Sequence, residues 1–390
     1  MDALMLPSNW QRVRLGDIGI TISGLAGKTK QDFINGNAKY ITFLNVLNNV
    51  IIDTSILENV KIYPNEKQNS FKKYDLFFNT SSETPKEVGM CAVLLDDIDQ
   101  VFLNSFCFGF RIFDKAVDSL FLSYLINSEI GRKAFENLAQ GSTRYNLSKS
   151  GFNNICLILP PLNEQIAIAN ILSDVDHYLC SLDALILKKE SVKKALSFEL
   201  LSQRKRLKGF NQAWQRVRLG DILSYEQPTK YLVATTQYLQ KGFTPILTAG
   251  KTFILGYTND KHGIYTNIPV IIFDDFTTDS KMVNFPFKVK SSAIKILSLR
   301  DNNQADLKYI YEKLTLLKHQ VTDHKRYWID EFSNFEILLP PLDEQIAIAN
   351  ILSALDSEII SLKNKKRQFE NIKKALNHDL MSAKIRVLKQ

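Results

Sequence analysis

The chain is poor in the residues that usually announce chemistry. Its four cysteines, Cys91, Cys107, Cys156 and Cys180, all precede residue 200 and form no CxxC pair, so neither a zinc site nor a disulfide framework is indicated. They read as small buried apolar residues. The five histidines, His177, His262, His319, His324 and His378, are scattered, and none has a partner at ligand spacing. There is no GxxxxGK followed by Ser or Thr, no GxGxxG and no FxGxG-like loop, and the Pro-Pro pairs sit in LPPL rather than before an aromatic in an amino-methylating site. No nucleotide, metal or methyl-donor cofactor is expected on this chain. Apolar runs fall short of the ~20 residues of a membrane span, and the opening MDALMLPSNW lacks a basic patch followed by an apolar stretch. These absences point to a cytoplasmic protein with no membrane partner.

What the chain does have is length, apolar content and repetition. With 390 residues, 45% of them hydrophobic and 11% aromatic, it can build two or more domains with real cores. Lys and Arg outnumber Asp and Glu by 49 to 41, a net +8 that suits a polyanionic partner, although many basic proteins bind no nucleic acid. WQRVRLGDI occurs at Trp10–Ile18 and again at Trp214–Ile222. LPPLNEQIAIANILS (Leu159–Ser173) returns as LPPLDEQIAIANILS (Leu339–Ser353). Each half thus has the same entrance and exit around interiors that differ in length and sequence. Unlike contents in like frames predict a common chassis with two variable modules, not a solenoid of short repeats.

After each LPPL the pattern turns helical. Ile168, Leu172, Val175, Leu179, Leu182 and Ile186 follow 4-3-4-3-4 spacing, and Ile348, Leu352, Leu355, Ile359 and Leu362 repeat the plan, with interruptions near Lys189 and Lys366. The prolines fit a first turn, with Asn163 or Asp343 available as a cap and Glu164 or Glu344 at the positive end of the dipole. Each helix could run about 45 residues, roughly 65 to 70 Å, far beyond a module whose radius of gyration is only ~14 Å. Their apolar stripes are expected to pack on each other. Connectivity makes that pair antiparallel and places a module near each end. The predicted class is therefore α+β: two globular α/β domains (1–160 and 209–340) separated by a two-helix antiparallel coiled coil (161–208 and 341–390), pseudo-twofold symmetric. Such a frame can present two surfaces to one long repetitive partner, and duplex DNA is one, with half-sites one or two turns apart.

Within module one, Tyr40–Val46, Asp75–Asn79, Met90–Leu95 and Cys107–Phe113 read as strands and Asp118–Leu138 as a helix. Module two has comparable runs at Pro269–Phe273, Val283–Val289 and Ala293–Leu297, with a helix near Ala305–Lys318. Three polar loops in module one carry the hydroxyls, amides and cations that phosphate and base-edge contacts require: GLAGKTK with Lys28 and Lys30, NTSSETPK with Thr80, Ser81, Ser82 and Lys86, and GSTRYNLSK with Ser142, Thr143, Arg144, Tyr145, Asn146 and Ser148. Arg144 is the foremost of these, since Arg is best placed to read guanine. Module two offers Lys251 and Thr252 in TAGKT, Thr277, Thr278 and Lys281 in DDFTTDSK, and Lys325, Arg326 and Tyr327 in TDHKRYW. Pure stacking or core packing is a fair alternative reading for Tyr327 and Trp328, and a solvated loop is the ordinary alternative for any single polar residue. Asp274, Asp275, Asp279 and Lys281 echo a nuclease carboxylate-x-lysine pair, but acids crowded into one loop suit a turn better than a two-metal site. A non-catalytic chain is expected. The rival from another class is a coiled-coil scaffold whose modules bind protein.

The sequence resembles the specificity subunit of type I restriction-modification systems. The resemblance rests on both WQRVRLGDI entrances, both LPPL helix starts, KKALSFELLSQRKRL and its cousin KKALNHDLMSAKIRVL, and, within module one, FNTSSETPKEVG and GSTRYNLSKSGF. It covers essentially the whole chain. It implies that each module reads one half of a split sequence in double-stranded DNA. It further implies that the helices space the modules and dock two methyltransferase subunits, which bring S-adenosylmethionine and modify adenine N6; it leaves open whether restriction subunits join them. It carries Ser142, Thr143, Arg144, Asn146 and Ser148 over as DNA contacts. The second half departs there: aligned at Pro340, residues His324 to Trp328 stand opposite Arg144 to Ser148.

Overall fold

The two WQRVRLGDI copies become one strand each of two matching ribbons. In the computed structural model, which describes residues 7–136, 138, 141, 144–234, 237–248, 252–317 and 327–387, Gln11–Arg14 pairs antiparallel with Cys156–Leu159, Gln11 facing Leu159. Gln215–Arg218 pairs with Glu336–Leu339 in the same register, Gln215 facing Leu339. Each entrance is hydrogen-bonded to its own exit. Both borders can therefore repeat while what lies between them is free to differ.

The chain forms two units, Met1–Asp183 with Lys365–Gln390, and Ala184–Asn364, so each contains part of both long helices. The first unit has an antiparallel sheet in the order Gly19–Ser23, Cys107–Ile112, Leu76–Asn79, Cys91–Val93, and a second sheet in the order Glu58–Val60, Ala38–Ile41, Val101–Leu103. Leu76–Asn79 is buried at every position because both faces of its sheet are covered. Leu76 and Phe78 point into a core shared with the helices Ser119–Asn127 and Glu129–Glu136, and Phe77 points the other way, towards Ile41 and Leu103. The second unit repeats this plan with Leu223–Glu226, Ile294–Leu299, Val270–Asp274 and Ser280–Val283, and with Ile254–Thr258, Thr244–Leu247 and Lys288–Val289. Ile271 and Phe273 enter one core, Val270 and Ile272 the other.

Three elements differ from the sequence expectation. Tyr40–Val46 is not one strand: the Thr42 side chain accepts from the Asn45 N–H and starts the helix Phe43–Asn48. The helix expected over Asp118–Leu138 divides at Ser128 into Ser119–Asn127 and Glu129–Glu136, where the Ser128 Oγ donates to the Leu125 carbonyl and accepts from the Gly131 N–H. Val283–Val289 splits between the ends of two different strands, Ser280–Val283 and Lys288–Val289.

The long helices are Leu162–Leu201 and Leu342–Met381, 40 residues each. Asn163 and Asp343 fall inside the first turn rather than at its cap. Within each unit the two helices run antiparallel, as the falling partner numbers show. In the first unit Asp176 meets Lys373 and Asp183 meets Lys366, with Tyr178 against Phe369 at 4.6 Å. In the second, Lys189 meets Glu358 and Lys193 meets Asp356. Ile168, Leu172, Leu380 and Met381 seat the helices in the first core, and Leu200, Leu201, Ile348 and Leu352 in the second. By length and composition Leu342–Met381 could cross a membrane, contrary to the expectation from the sequence; its apolar residues nevertheless form a stripe interrupted by Asp356 and Glu358, both salt-bridged within the unit.

Asp356 lies between two cations, Lys193 and Lys308, and Lys308 also holds the buried Glu312 at 2.6 Å. Burial alone would raise the Asp356 carboxyl, but hydrogen bonds from Lys193 and Lys308 outweigh it and hold the group below its ordinary range. A carboxyl lowered by folding contributes stability that is present above its unfolded pKa of about 3.9 and is lost as pH falls through the folded value. Urea unfolding should therefore show a stability gap between wild type and Asp356→Asn at neutral pH that narrows once the pH falls below the unfolded pKa of about 3.9. A gap of equal size at neutral pH and below that pKa would contradict this account of the lysine pair.

Candidate nucleic-acid interface

Asn79 ends the central strand of the first unit, and its buried side chain shapes the loop that follows. Its Nδ2 donates to the Ser81 and Glu87 carbonyls at 3.2 and 2.8 Å, and its Oδ1 accepts from the Met90 N–H at 2.7 Å. Arg132 supports the same loop from the helix Glu129–Glu136, donating to the carbonyls of Gly89, at 2.9 Å, and Val88. Burial pushes the pKa of its guanidinium down, outweighing the opposing pull of the Glu136 carboxylate. Gly89 sits at φ 70°, and a Cβ there would lie 2.5 Å from the Phe135 ring, so the turn requires glycine. The loop from Asn79 to Gly89 is thus held in one shape by groups that water does not reach.

Against this support sits a second segment. Tyr145–Asn146 pairs with Ser81–Ser82, and the Leu147 N–H donates to the Thr80 carbonyl at 2.9 Å. Thr80 in turn donates both its N–H and its hydroxyl to the Phe106 carbonyl, each at 2.9 Å. Lys86, Arg144 and Asn146 are exposed around this joint, and Tyr145 is half-buried. Lys149 reaches Ser23 Oγ at 2.6 Å. The loop cluster therefore offers cations and an amide to solvent from a backbone that is pinned, as base-edge and phosphate contacts require.

Several of the proposed contacts do not survive burial. Ser81 and Ser82 are buried, and the Ser82 hydroxyl donates to Glu87 at 2.7 Å. They position the loop rather than offer hydroxyls to a ligand. Lys28 keeps only 5% of its side chain exposed and donates to the Lys61 carbonyl and to Glu66, both at 2.5 Å, folding GLAGKTK onto residues 61–66. Lys30 remains exposed at the start of the turn Lys30–Phe33. The Ser148 hydroxyl accepts from the Gly151 N–H at 3.0 Å as the cap of Lys149–Asn153. Ser142 and Thr143 lie outside the described residues.

In the second unit Tyr327 is fully buried, at 0% exposure, in one core with Trp328 and Phe332. The core reading of that pair holds, and Tyr327 is withdrawn as a DNA contact. Lys251, Lys325 and Arg326 lie outside the described residues. Thr252 is exposed; Lys281 stands over the Phe253 ring at 4.5 Å. Thr277 donates to Asp274 Oδ2 at 2.6 Å, and Thr278 takes a left-handed φ of 61° in the same turn. Asp274 is consumed by this turn, while Asp275 is bound by the buried Lys295 at 3.0 Å and by the Trp328 N–H at 2.9 Å. Among the described residues no group of three or more His, Cys, Asp or Glu could hold a metal.

Sequence reasoning missed Asn79, Arg132 and Phe106. An aromatic in the short NSFC stretch between two strands was the available signal for Phe106; Asn79 and Arg132 act through backbone groups, which leave no pattern in a sequence.

Two like-built units, each framed by the same strand ribbon and by segments of the same helix pair, define a chain of paired recognition modules. It belongs to the type I restriction modification DNA specificity domain family, whose model matches residues 7–189 and 211–371. Over 180 residues it is 45% identical to the EcoR124I/EcoR124II specificity subunit of Escherichia coli, a match covering 42% of this chain and 44% of that protein. A match to the putative type I restriction enzyme MjaX specificity subunit of Methanocaldococcus jannaschii is 26% identical and covers 98% of this chain and 95% of that one. The fold is similar to the type I restriction-modification S subunit from M. genitalium, with TM-score 0.65 and 18% identity over 97% of this chain and 98% of that one.

Proposed function

We propose that this chain is the non-catalytic DNA-reading subunit of a type I restriction-modification complex, with one half of a split target read by each module. The modules occupy 1–160 and 209–340, and the helices at 161–208 and 341–390 dock methyltransferase subunits. Those subunits bind S-adenosylmethionine and methylate adenine N6; this chain's own part is to bind duplex DNA and fix where they act. The observation that carries the reading is the pairing of each repeated entrance with its own repeated exit around an interior of unlike sequence. A frame of that kind lets a module be exchanged without disturbing its supports. In this reading Lys30, Lys86, Arg144, Tyr145 and Asn146 in the first unit, and Thr252, Thr278 and Lys281 in the second, are the candidate DNA contacts among the described residues, while the hydroxyls of Thr80 and Thr277 donate to the Phe106 carbonyl and to Asp274.

A chimera tests it. Residues 223–338 are replaced by the corresponding interior of another family member, and methylated adenines are mapped in cells carrying the complex. One half of the methylated motif should change and the other half and the gap should remain. A motif altered in both halves, or in neither, would refute one-module-one-half-site reading.

A further inference from the structure

We propose that Phe106 is a specificity-positioning residue: its ring holds the Arg144 guanidinium in the orientation from which Arg144 reads a base. The proposal rests on the reading that the first unit's loop cluster faces DNA. Three hydrogen bonds fix the backbone of Phe106, its N–H donating to Asn104 Oδ1 at 2.9 Å and its carbonyl accepting both Thr80 donors. Yet the side chain on that clamped backbone is 56% exposed. At that exposure the ring adds little to the core, and its position is set by the clamped backbone. What it meets is Arg144, whose guanidinium carbon lies 5.9 Å from the ring centroid, within cation–π range.

Thr80 couples the two. It donates to the Phe106 carbonyl and accepts from the Leu147 N–H, three residues beyond Arg144, so the ring and the arginine hang from one joint. A long exposed arginine loses rotamer freedom when it binds. A ring within cation–π reach of the guanidinium restricts that freedom beforehand while the exposed side chain keeps its N–H donors available for bidentate contact to a guanine. Phe106 thus acts through Arg144.

The test uses the assembled complex and duplexes in which each position of the target is varied, with Phe106→Leu, Phe106→Trp, Arg144→Ala and the Leu/Ala double variant. Phe106→Leu should weaken binding of the cognate duplex by about 2- to 5-fold and flatten base preference at the same single position that Arg144→Ala flattens. The double variant should be no weaker than Arg144→Ala alone, and Phe106→Trp should keep the preference. The proposal is overturned if Phe106→Leu leaves every preference intact while Arg144→Ala does not, if its loss is equal on all duplexes, or if the two losses multiply. Should Arg144→Ala itself flatten no position, the assignment of this loop cluster to base reading falls, and the role of Phe106 with it.

Discussion

Arg206→Ala should unfold the second unit far more readily than the partial exposure of that arginine suggests. Its guanidinium grips Glu344 with Nε at 3.1 Å and Nη2 at 2.6 Å, and the Trp214 indole N–H adds a third bond at 3.0 Å. Glu344 is 0% exposed. A fully buried carboxylate left without its cation costs on the order of 3–5 kcal/mol, because the charge stays where water cannot solvate it. Removing that charge as well should undo most of the damage: in an Arg206→Ala/Glu344→Gln double variant, a neutral amide oxygen still accepts from Trp214. Urea midpoints of wild type, single and double variants decide the matter, and a single variant as stable as wild type would show that Glu344 finds other solvation. The exposed pairs Arg14–Asp17 and Arg218–Asp221 serve as internal controls, since surface ion pairs contribute little. Arg386 makes the same two-pronged contact with Glu164 in the first unit, at 2.6 and 2.8 Å. The repeat of the helix ends therefore has a physical reason: each supplies an arginine to the acidic first turn of the other helix in its unit.

The frame was legible in the sequence because its information is redundant. Two copies of one border, each ending in a proline pair and a long apolar seam, leave few ways to be joined, and the antiparallel helices follow; the strand ribbons that tie each entrance to its exit were not read from the sequence. The site was legible only as residue types. Thr80, Lys86, Arg144 and Asn146 proved to lie in one cluster, but Ser81, Ser82 and Lys28, chemically as suitable, are spent on the loops' own hydrogen bonds. Polarity alone cannot say whether a hydroxyl or ammonium serves the backbone or faces outward, because that depends on which strand passes beside it. The misread element YITFLNV shows the same limit at the scale of secondary structure: an apolar run suits strand or helix, and the cap at Thr42 decides.

Trp328→Ala separates the two meanings that TDHKRYW carried. As a stacking residue Trp328 would be dispensable for folding, and its loss would weaken DNA binding in a protein as stable as before. As the structure has it, the ring is 1% exposed and meets Phe273 edge-on at 5.4 Å, while Phe273 continues to Phe332 at 5.0 Å. Deleting a buried tryptophan removes a large apolar surface and leaves a cavity that a sheet and a short helix cannot close, which costs about 3–5 kcal/mol. For a unit of this size each kcal/mol lowers the melting temperature by roughly 2–4 °C, so a drop of roughly 6–20 °C is expected in differential scanning calorimetry. The Asp275–Lys295 pair should survive, since Asp275 accepts from the backbone N–H of residue 328, which alanine retains. Trp328→Phe should recover most of the loss by refilling the space. Below its melting temperature the alanine variant should bind DNA with unchanged base preferences. An unaltered melting temperature together with altered preferences would return Trp328 to the DNA surface and remove it from the core.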